Sequence, residues 1–391
     1  MVRQARWPSL SKIHRLIKNI NWPVTGGTLI LVIAIRVALF LVIAHQQKLP
    51  NFDLQTVIKP WMQWDAPEYI AVAREGYLSQ DFTKERTEFR SRFPPLLPAS
   101  MKLFHVIFDI RYLASGIVIS IACLFFASLL LYRIAFFESK SPTAAWASVF
   151  FLNIFPGSYV ANSVYAESMA IMFVAMFFYY VRVRPQQARA SFAVSGLILS
   201  KTVGISLIPA HLYVYWTKYR TGKKLTAREG AYAALPLVVF VAHQLFITYY
   251  LTQPGYINSP DETSVRKASY FLYDQINSLI NFAQRPQLML RPDIMNYIGW
   301  RLIYFCLAVL VTIYGYFKVD KIYTLYCASH LILISSLTNL GLGVRFYWLM
   351  LPLFLILPRL RLKLVKVSYA VFSCVGLIYF SKVFCNGGFA F

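Results

Sequence analysis

Long apolar runs, separated by basic linkers, govern what this chain can fold into. They begin near Val24, Leu113, Thr143, Val164, Ser191, Ala231, Tyr297, Ile322, Leu340 and Val367. A run of about 20 apolar residues satisfies its own backbone as a helix, which is what a bilayer tolerates. Hydrophobic residues make up 58% of the 391 and charged residues only 14%, against roughly a quarter charged in a soluble domain. The expectation is an all-α polytopic membrane protein, a single integral-membrane domain over 1–391 with about 9–11 transmembrane helices. The first run, Val24 to Ala44, is too long for a signal-peptide core and is followed by no small-x-small cleavage pattern, so it reads as a retained anchor.

The net charge of +23 raises nucleic acid as a partner, and its placement removes that reading. Linkers 1–23, 133–142, 182–190, 217–230, 318–321 and 359–366 hold 21 Lys/Arg against three acids. Two long polar stretches, 45–112 and 252–296, hold 13 basic and 12 acidic residues. This is the asymmetry of the positive-inside rule: the six basic linkers and the N-terminus are cytoplasmic, and both long loops are outer. Cys123, Cys306, Cys327, Cys374 and Cys385 form no CxxC pair, and the six His form no HExxH, so redox and zinc motifs are absent. Neither GxxxxGK[ST] nor a GxGxxG after a strand occurs, which leaves no nucleotide-binding loop to read.

Parity imposes one further shape. Linkers 182–190 and 217–230 are both basic, yet only the run from Ser191 to Trp216 separates them. That run is interrupted by Ser200-Lys201-Thr202-Val203-Gly204, leaving two arms of about 10–13 residues, each too short to cross about 30 Å of hydrocarbon. A re-entrant hairpin with Lys201 near its tip satisfies both charge and length. Irregular backbone at that depth belongs where it is buried in protein or lines a wet cavity, so Lys201 is expected to face a site. Cysteines placed at positions 186 and 222 should both report the cytoplasmic side, and the C-terminus should lie outside.

Trp64-Asp65-Ala66-Pro67-Glu68-Tyr69, in the first outer loop, is the candidate catalytic segment. A carboxylate at the membrane rim, beside rings suited to that depth, can deprotonate an incoming hydroxyl. The plainer reading makes Asp65 the cap of a short helix starting near Pro67. Charges inside apolar runs cost at least about 2.5–3.5 kcal/mol each at midplane and need a reason. Lys382 can snorkel, and Arg36 and Arg301 can serve as interhelical glue. Glu167 and Arg345 fall at the outer ends of their runs, so Asp65, Glu167, Lys201 and Arg345 converge from four parts of the chain. They either neutralise one another or form a pocket for an anionic, lipid-linked substrate. Asp65 and Glu68 could hold a divalent metal; no metal ligand set is otherwise legible.

In order along the chain, these residues resemble the PIG-V mannosyltransferases of the GT-C superfamily. Trp64-Asp65-x-x-x-Tyr69 with Ala73 and Gly76-Tyr77 looks like that family's loop signature, and Phe93-Pro94-Pro95-Leu96-Leu97-Pro98 its Phe-Pro-Leu-x-Pro segment. Phe155-Pro156-x-Ser158 with Tyr165-x-Glu167-Ser168 resembles its Pro-x-Ser…Tyr-Ser-Glu-Ser element. Lys201-Thr202-Val203-Gly204 resembles its Thr-Arg-x-x-Gly break, and Arg345-Phe346-Tyr347 with Pro352 its Arg-Tyr…Pro element. Glu68 stands where the family often has His, and Lys201 where it has Arg, a point charge in place of a bidentate fork.

The resemblance implies a GT-C-like bundle and an inverting transfer of a sugar, usually mannose, from a polyprenyl-phosphate donor to a hydroxyl of a glycolipid, glycan or protein acceptor. Asp65, the base at the matching position, and Glu68 are the candidate catalytic residues, and Trp64, Tyr69, Glu167, Lys201, Arg345 and Tyr347 the candidate substrate-binding residues. A lipid phosphate is already a good leaving group, so cations on it and one base on the acceptor suffice. Two other classes stay open: a flippase or transporter of lipid-linked sugars, which would predict a matched broken helix in each half, and a non-catalytic subunit of a membrane glycosyltransferase complex. Localisation is expected in a prokaryotic plasma membrane, with the site on the outer face.

Overall fold

The computed structural model describes residues 21–48, 53–77, 90, 93–251, 300–336, 343–360 and 363–388, with side chains left aside at 248–251 and 300–302. The outer loop 252–296, the first 20 residues and the Arg301 side chain lie outside the described residues. The regular structure among the described residues is helical. The chain is an integral membrane protein by the length and apolarity of its helices. Four can cross a bilayer unbroken: α1 (Trp22–Gln46), α5 (Tyr112–Ser139), α10 (Ala227–Leu251, apolar over Ala227–Ile247) and α15 (Lys363–Cys385).

The other apolar runs are helical too, but broken. After α1 come three short helices of the first long polar segment: α2 (Leu54–Ile58, continued by a 3-10 turn, Lys59–Trp61), α3 (Asp65–Glu75) and α4 (Leu96–Phe108). The segment expected as a long loop is therefore largely helical. α6 (Pro142–Ile154) turns into a 3-10 segment, Pro156–Asn162, bent by 71° from it. α7 (Glu167–Phe178) ends in a π turn, Tyr179–Val183. α8 (Gln187–Ser200), a 3-10 segment (Thr202–Leu207) and α9 (Ile208–Arg220) follow. After α10 come α11 (Trp300–Lys318), α12 (Lys321–Ser336), α13 (Val344–Trp348), α14 (Leu351–Ile356) and α15. Of these breaks only the one at Ser200–Gly204 is among the sequence expectations, and among the described residues fewer helices cross whole than there are apolar runs.

The break after α6 is written in Pro156, which has no N–H for the helix and pushes Phe155 to extended backbone (φ −53°, ψ 135°). Every residue from 151 to 170 is buried, so this bent segment is the spine of the molecule. Its freed polar groups are taken up by Arg36 of α1. Nη1 donates to the Ser158 carbonyl at 2.6 Å and to Asn162 Oδ1 at 3.2 Å, and Nη2 to the Asn153 carbonyl at 2.6 Å. Asn162 Nδ2 donates back to the Arg36 carbonyl at 2.9 Å. A fully buried cation is thus held by carbonyl dipoles at the end of a helix, the favourable end for positive charge. Arg36 is glue, as the sequence allowed.

The hairpin is present. Ser191 Oγ and Tyr215 OH lie 3.3 Å apart, whereas a straight helix would separate them by about 36 Å. At the tip, Lys201 is extended (φ −155°, ψ 130°), and the chain returns so closely that a Cβ on Gly204 would sit 2.8 Å from the backbone of Leu197. The bases of the two arms meet, with Gln187 hydrogen-bonded to Glu229 and Lys218 paired with Glu229. Linkers 182–190 and 217–230 therefore lie at one end, as charge demanded. Arg182 extends that end to two more linkers, with Nε 2.9 Å from Glu138 and Nη1 2.6 Å from Asp320.

Two outcomes follow. Single cysteines replacing Gln186 and Lys223 are expected to react from the same side of sealed vesicles; labelling from opposite sides would overturn the hairpin. Arg36→Met removes its bonds to the Ser158 and Asn153 carbonyls and to Asn162 Oδ1, costing about 1–3 kcal/mol for each group left unsatisfied. Thermal unfolding of the detergent-purified variant measures it, and an unchanged midpoint would mean packing alone holds the bend.

Candidate active site

At the end away from the basic linkers, four separate segments deliver four charges. Asp65 is the first residue of α3, Glu167 the first of α7, Lys201 the hairpin tip, and Arg345 the second residue of α13. Arg345 Nη1 donates to Asp65 Oδ2 at 2.9 Å, and its Nε lies 3.4 Å from Glu167 Oε1. Lys201 Nζ donates to the same Glu167 Oε1 at 2.8 Å. Glu167 is fully buried, while the side chains of Lys201, Arg345 and Asp65 are 13%, 19% and 28% exposed. The cluster is thus anchored on an internal carboxylate and opens toward Asp65.

The donors are not exhausted. Among the described residues Arg345 Nη2 and two of the three Lys201 protons have no acceptor, and Asp65 Oδ1 has no donor. The four charges sum to zero, yet hydrogen-bonding capacity is left over. Here a partly exposed carboxylate oxygen stands beside unspent cationic donors. Beneath them, the Phe346 ring lies 4.8 Å from Lys201 Nζ and 5.4 Å from the Arg345 guanidinium carbon, which also lies 5.0 Å from the Tyr165 ring centre. Aromatic faces of this kind hold cations without consuming their hydrogen bonds.

Each charge has a local mount. Asp65 does not cap α3: the helix begins at Asp65 itself, Trp64 occupies the cap position, and no side-chain cap bond forms. The capping reading is corrected on that geometry, since the carboxylate is turned to Arg345. Trp64 takes φ +56°, ψ −107°, a conformation side chains rarely adopt and one that must be held by its surroundings. Tyr165 supplies part of that hold: its hydroxyl accepts from the Asp65 N–H at 3.2 Å and donates to the Gln63 carbonyl at 3.3 Å. Trp64 Nε1 donates to the Gly388 carbonyl at 3.1 Å, leaving the ring 44% exposed. Arg345 is pressed from behind by the spine, where a Cβ on Gly157 would fall 2.7 Å from the Arg345 Cα.

The remaining expected site residues are placed differently. Glu68, one turn after Asp65, is held at 2.9 Å by Arg90 Nε, while Arg90 Nη1 reaches Glu75 at 3.3 Å, and Glu68 does not touch the four-charge cluster. Tyr69 is buried edge-on against Phe93, with ring centres 4.8 Å apart, within electrostatic reach of Glu167, Asp65 and Arg345. Burial, reinforced by the two carboxylates, pushes its phenol well above the usual range, so Tyr69 is a neutral hydroxyl at physiological pH. Tyr347 is buried beside Tyr304, with ring centres 6.2 Å apart. No group of three His, Cys, Asp or Glu suited to a metal occurs among the described residues, and Asp65 and Glu68 are each held by a guanidinium. Sequence reasoning missed Tyr165, Phe346 and Gly157 as parts of the site; all three lie within quoted motifs, but only spatial contact with the charges marks them.

Just upstream, a cavity of about 550 Å³ opens between α2 and the start of α5, lined by Leu54, Ile58, Lys59, Met62, Arg111 and Leu113 among others. Met62 is only three residues from Asp65, so this largely apolar hollow lies beside the segment that carries the carboxylate.

No protein-family model matches the chain, and no curated protein matches it. Among solved structures it is similar to ArnT from Cupriavidus metallidurans bound to undecaprenyl phosphate, at 15% identity and a TM-score of 0.49, over 89% of this chain and 62% of that one. It is also similar to the Archaeoglobus fulgidus oligosaccharyltransferase tethered with an acceptor peptide, at 12% identity and a TM-score of 0.43, over 92% of this chain and 56% of that one. The same organism's AglB, in complex with an inhibitory peptide and a dolichol-phosphate, gives 13% identity and a TM-score of 0.41. The chain spans 62% and 56% of the lengths of the first two, and likenesses this distant decide nothing about activity.

Glu167→Ala removes the acceptor shared by Lys201 and Arg345 and leaves charges buried without it. A loss of about 3–5 kcal/mol of stability is expected, read from denaturant or thermal unfolding in detergent. A variant as stable as the parent would show that the cations relax to water, and that Glu167 is not the anchor.

Proposed function

We propose that the chain is an inverting, GT-C-type glycosyltransferase of the membrane, transferring a sugar from a polyprenyl-phosphate donor to a hydroxyl acceptor on the outer face. Mannose is the sugar favoured by the resemblance of the ordered motifs to the PIG-V mannosyltransferases. One observation carries the reading: a half-open carboxylate, Asp65, shares Arg345 with a buried carboxylate, while unspent donors of Arg345 and Lys201 face the same cluster.

The chemistry follows from that arrangement. Asp65 Oδ1 takes the proton of the acceptor hydroxyl as its oxygen forms a bond to the anomeric carbon. On the opposite face, the bond from that carbon to the phosphate oxygen breaks, and its electron pair stays on the lipid phosphate. Arg345 and Lys201 stabilise the added negative charge, in surroundings where water does not screen them. Arg345 on Oδ2 fixes the carboxylate plane and leaves Oδ1 for the acceptor. Glu167 keeps the two cations together against their repulsion, and Tyr69 supplies a neutral hydroxyl beside them. Glu68 acts, if at all, through Arg90 and the placement of α3.

The orientation belongs to the same proposal. The basic linkers lie in the cytoplasm of a prokaryotic cell and the cluster faces the opposite side, where a lipid-linked donor is presented.

Transfer of labelled sugar from a polyprenyl-phosphate donor by the purified protein tests the reaction, and donor binding without transfer would argue for a carrier or a non-catalytic subunit. Asp65→Asn keeps the shape and removes the base, so turnover should fall by about 10²-fold or more with insertion intact; near-normal turnover would take Asp65 out of that role. Lys201→Met and Arg345→Met should each weaken donor binding by about 1.5–3 kcal/mol. Unchanged affinity in both would assign the cations to internal neutralisation.

A further inference from the structure

We propose that His330 is a positioning residue that sets the distance between Lys201 and Arg345; the inference rests on reading those two cations as ligands of the donor phosphate. His330 belongs to α12, is fully buried, and touches neither cation's polar atoms. Its two ring nitrogens reach the two segments that carry them. Nδ1 is 3.0 Å from Ser206 Oγ, in the 3-10 return of the hairpin five residues after Lys201. Nε2 is 3.1 Å from the carbonyl of Phe346, the residue after Arg345.

The partners fix the tautomer. A carbonyl only accepts, so Nε2 carries the hydrogen, and Nδ1 is then the acceptor for the Ser206 hydroxyl. The neutral ring bridges the two segments with a donor at one end and an acceptor at the other, a span that a single hydroxyl group is too short to cover. The rest of the α12 face repeats the theme. Ser329 Oγ donates to the Ser206 carbonyl at 2.6 Å, and Tyr326 OH, one turn earlier, donates to the Leu349 carbonyl just beyond α13 at 2.9 Å. Residues three and four apart share a helix face, so one polar face of α12 grips both moving parts.

Phe346 makes this bridge matter for the site. Its ring lies under both cations, at 4.8 Å from Lys201 and 5.4 Å from Arg345, while its carbonyl is the atom held by His330. A shift of that backbone tilts the platform beneath both charges at once, and a shift of Ser206 moves the hairpin tip relative to it. The cations come from residues 144 positions apart, and α12 is where their supports meet.

The test is titration of the detergent-purified full chain with a polyprenyl monophosphate, with thermal unfolding followed in parallel. His330→Phe keeps the ring volume and removes both bonds, and should weaken binding about tenfold. His330→Gln restores a donor near Phe346 and should recover most of the affinity. In a Lys201→Met/Arg345→Met background, His330→Phe should change the residual affinity by less than about twofold, because its effect passes through those cations. Tyr323→Phe removes the 3.0 Å bond from its hydroxyl to Glu138, at the end of the same helix away from both cations, and should lower the melting temperature while leaving affinity intact. Equal binding by the parent and by folded His330→Phe overturns the inference alone, as does an equal loss in the double-Met background. Should His330→Phe fail to fold, Ser206→Ala removes one of the two bonds and must weaken binding for the proposal to stand. A parent protein that does not bind the lipid phosphate removes the functional reading, and this inference falls with it.

Discussion

A carboxylate buried in a helix bundle must be matched by positive charge, and the end of this protein away from the basic linkers is arranged around one such carboxylate. Glu167 has no access to solvent, and a single oxygen, Oε1, receives both Lys201 and Arg345. Removing an ion pair from water costs several kcal/mol per charge, recovered only through close geometry and further hydrogen bonds. The fold supplies these by bringing the hairpin tip, α13 and the start of α7 to one point. Asp65 then completes the set from its partly exposed side.

The same requirement explains why the broken helices are broken where they are. A straight span passes a point in the bilayer once and offers little backbone there. Ending α8 at Ser200 and α6 at Ile154 turns the chain at depth, so that Lys201 and the Glu167 segment face inward. The cost is exposed main-chain polarity. Arg36, the Ser158 and Asn162 side chains and the α12 hydroxyls absorb much of it within the protein. Irregular backbone survives at membrane depth only on such terms.

Much of this was legible in the residues. Charge parity across 182–190 and 217–230 fixed the hairpin because a single span would have carried five cations to the wrong side, and the Ser191–Tyr215 contact bears it out. The convergence of Asp65, Glu167, Lys201 and Arg345 was legible because each charge in an apolar run needs a partner. What sequence could not show is which oxygen each cation would take, or that Glu68 would turn to Arg90, since both depend on where α3 points. The backbone supports were invisible for a different reason. Tyr165, Phe346 and Gly157 are ordinary apolar or small residues in a chain rich in them, and their roles arise from contacts between distant segments. The helix breaks were half visible: Pro156 announces one, whereas the π turn at Tyr179–Val183 leaves no mark of its own.

Arg36 also imposes an order on biogenesis. It sits in the first span, but its side-chain acceptor Asn162 lies 126 residues later. At about 5–20 residues per second, the ribosome needs roughly 6–25 s to deliver those residues. Throughout that interval the first helix carries a guanidinium whose intended acceptors do not yet exist, a burden of about 2.5–3.5 kcal/mol at the bilayer centre. The twelve Leu, Ile, Val and Phe residues between Leu29 and Ile43 offset it at about 0.3–0.6 kcal/mol each. α1 can therefore enter the lipid with its charge unmet, and the bent segment closes on it later.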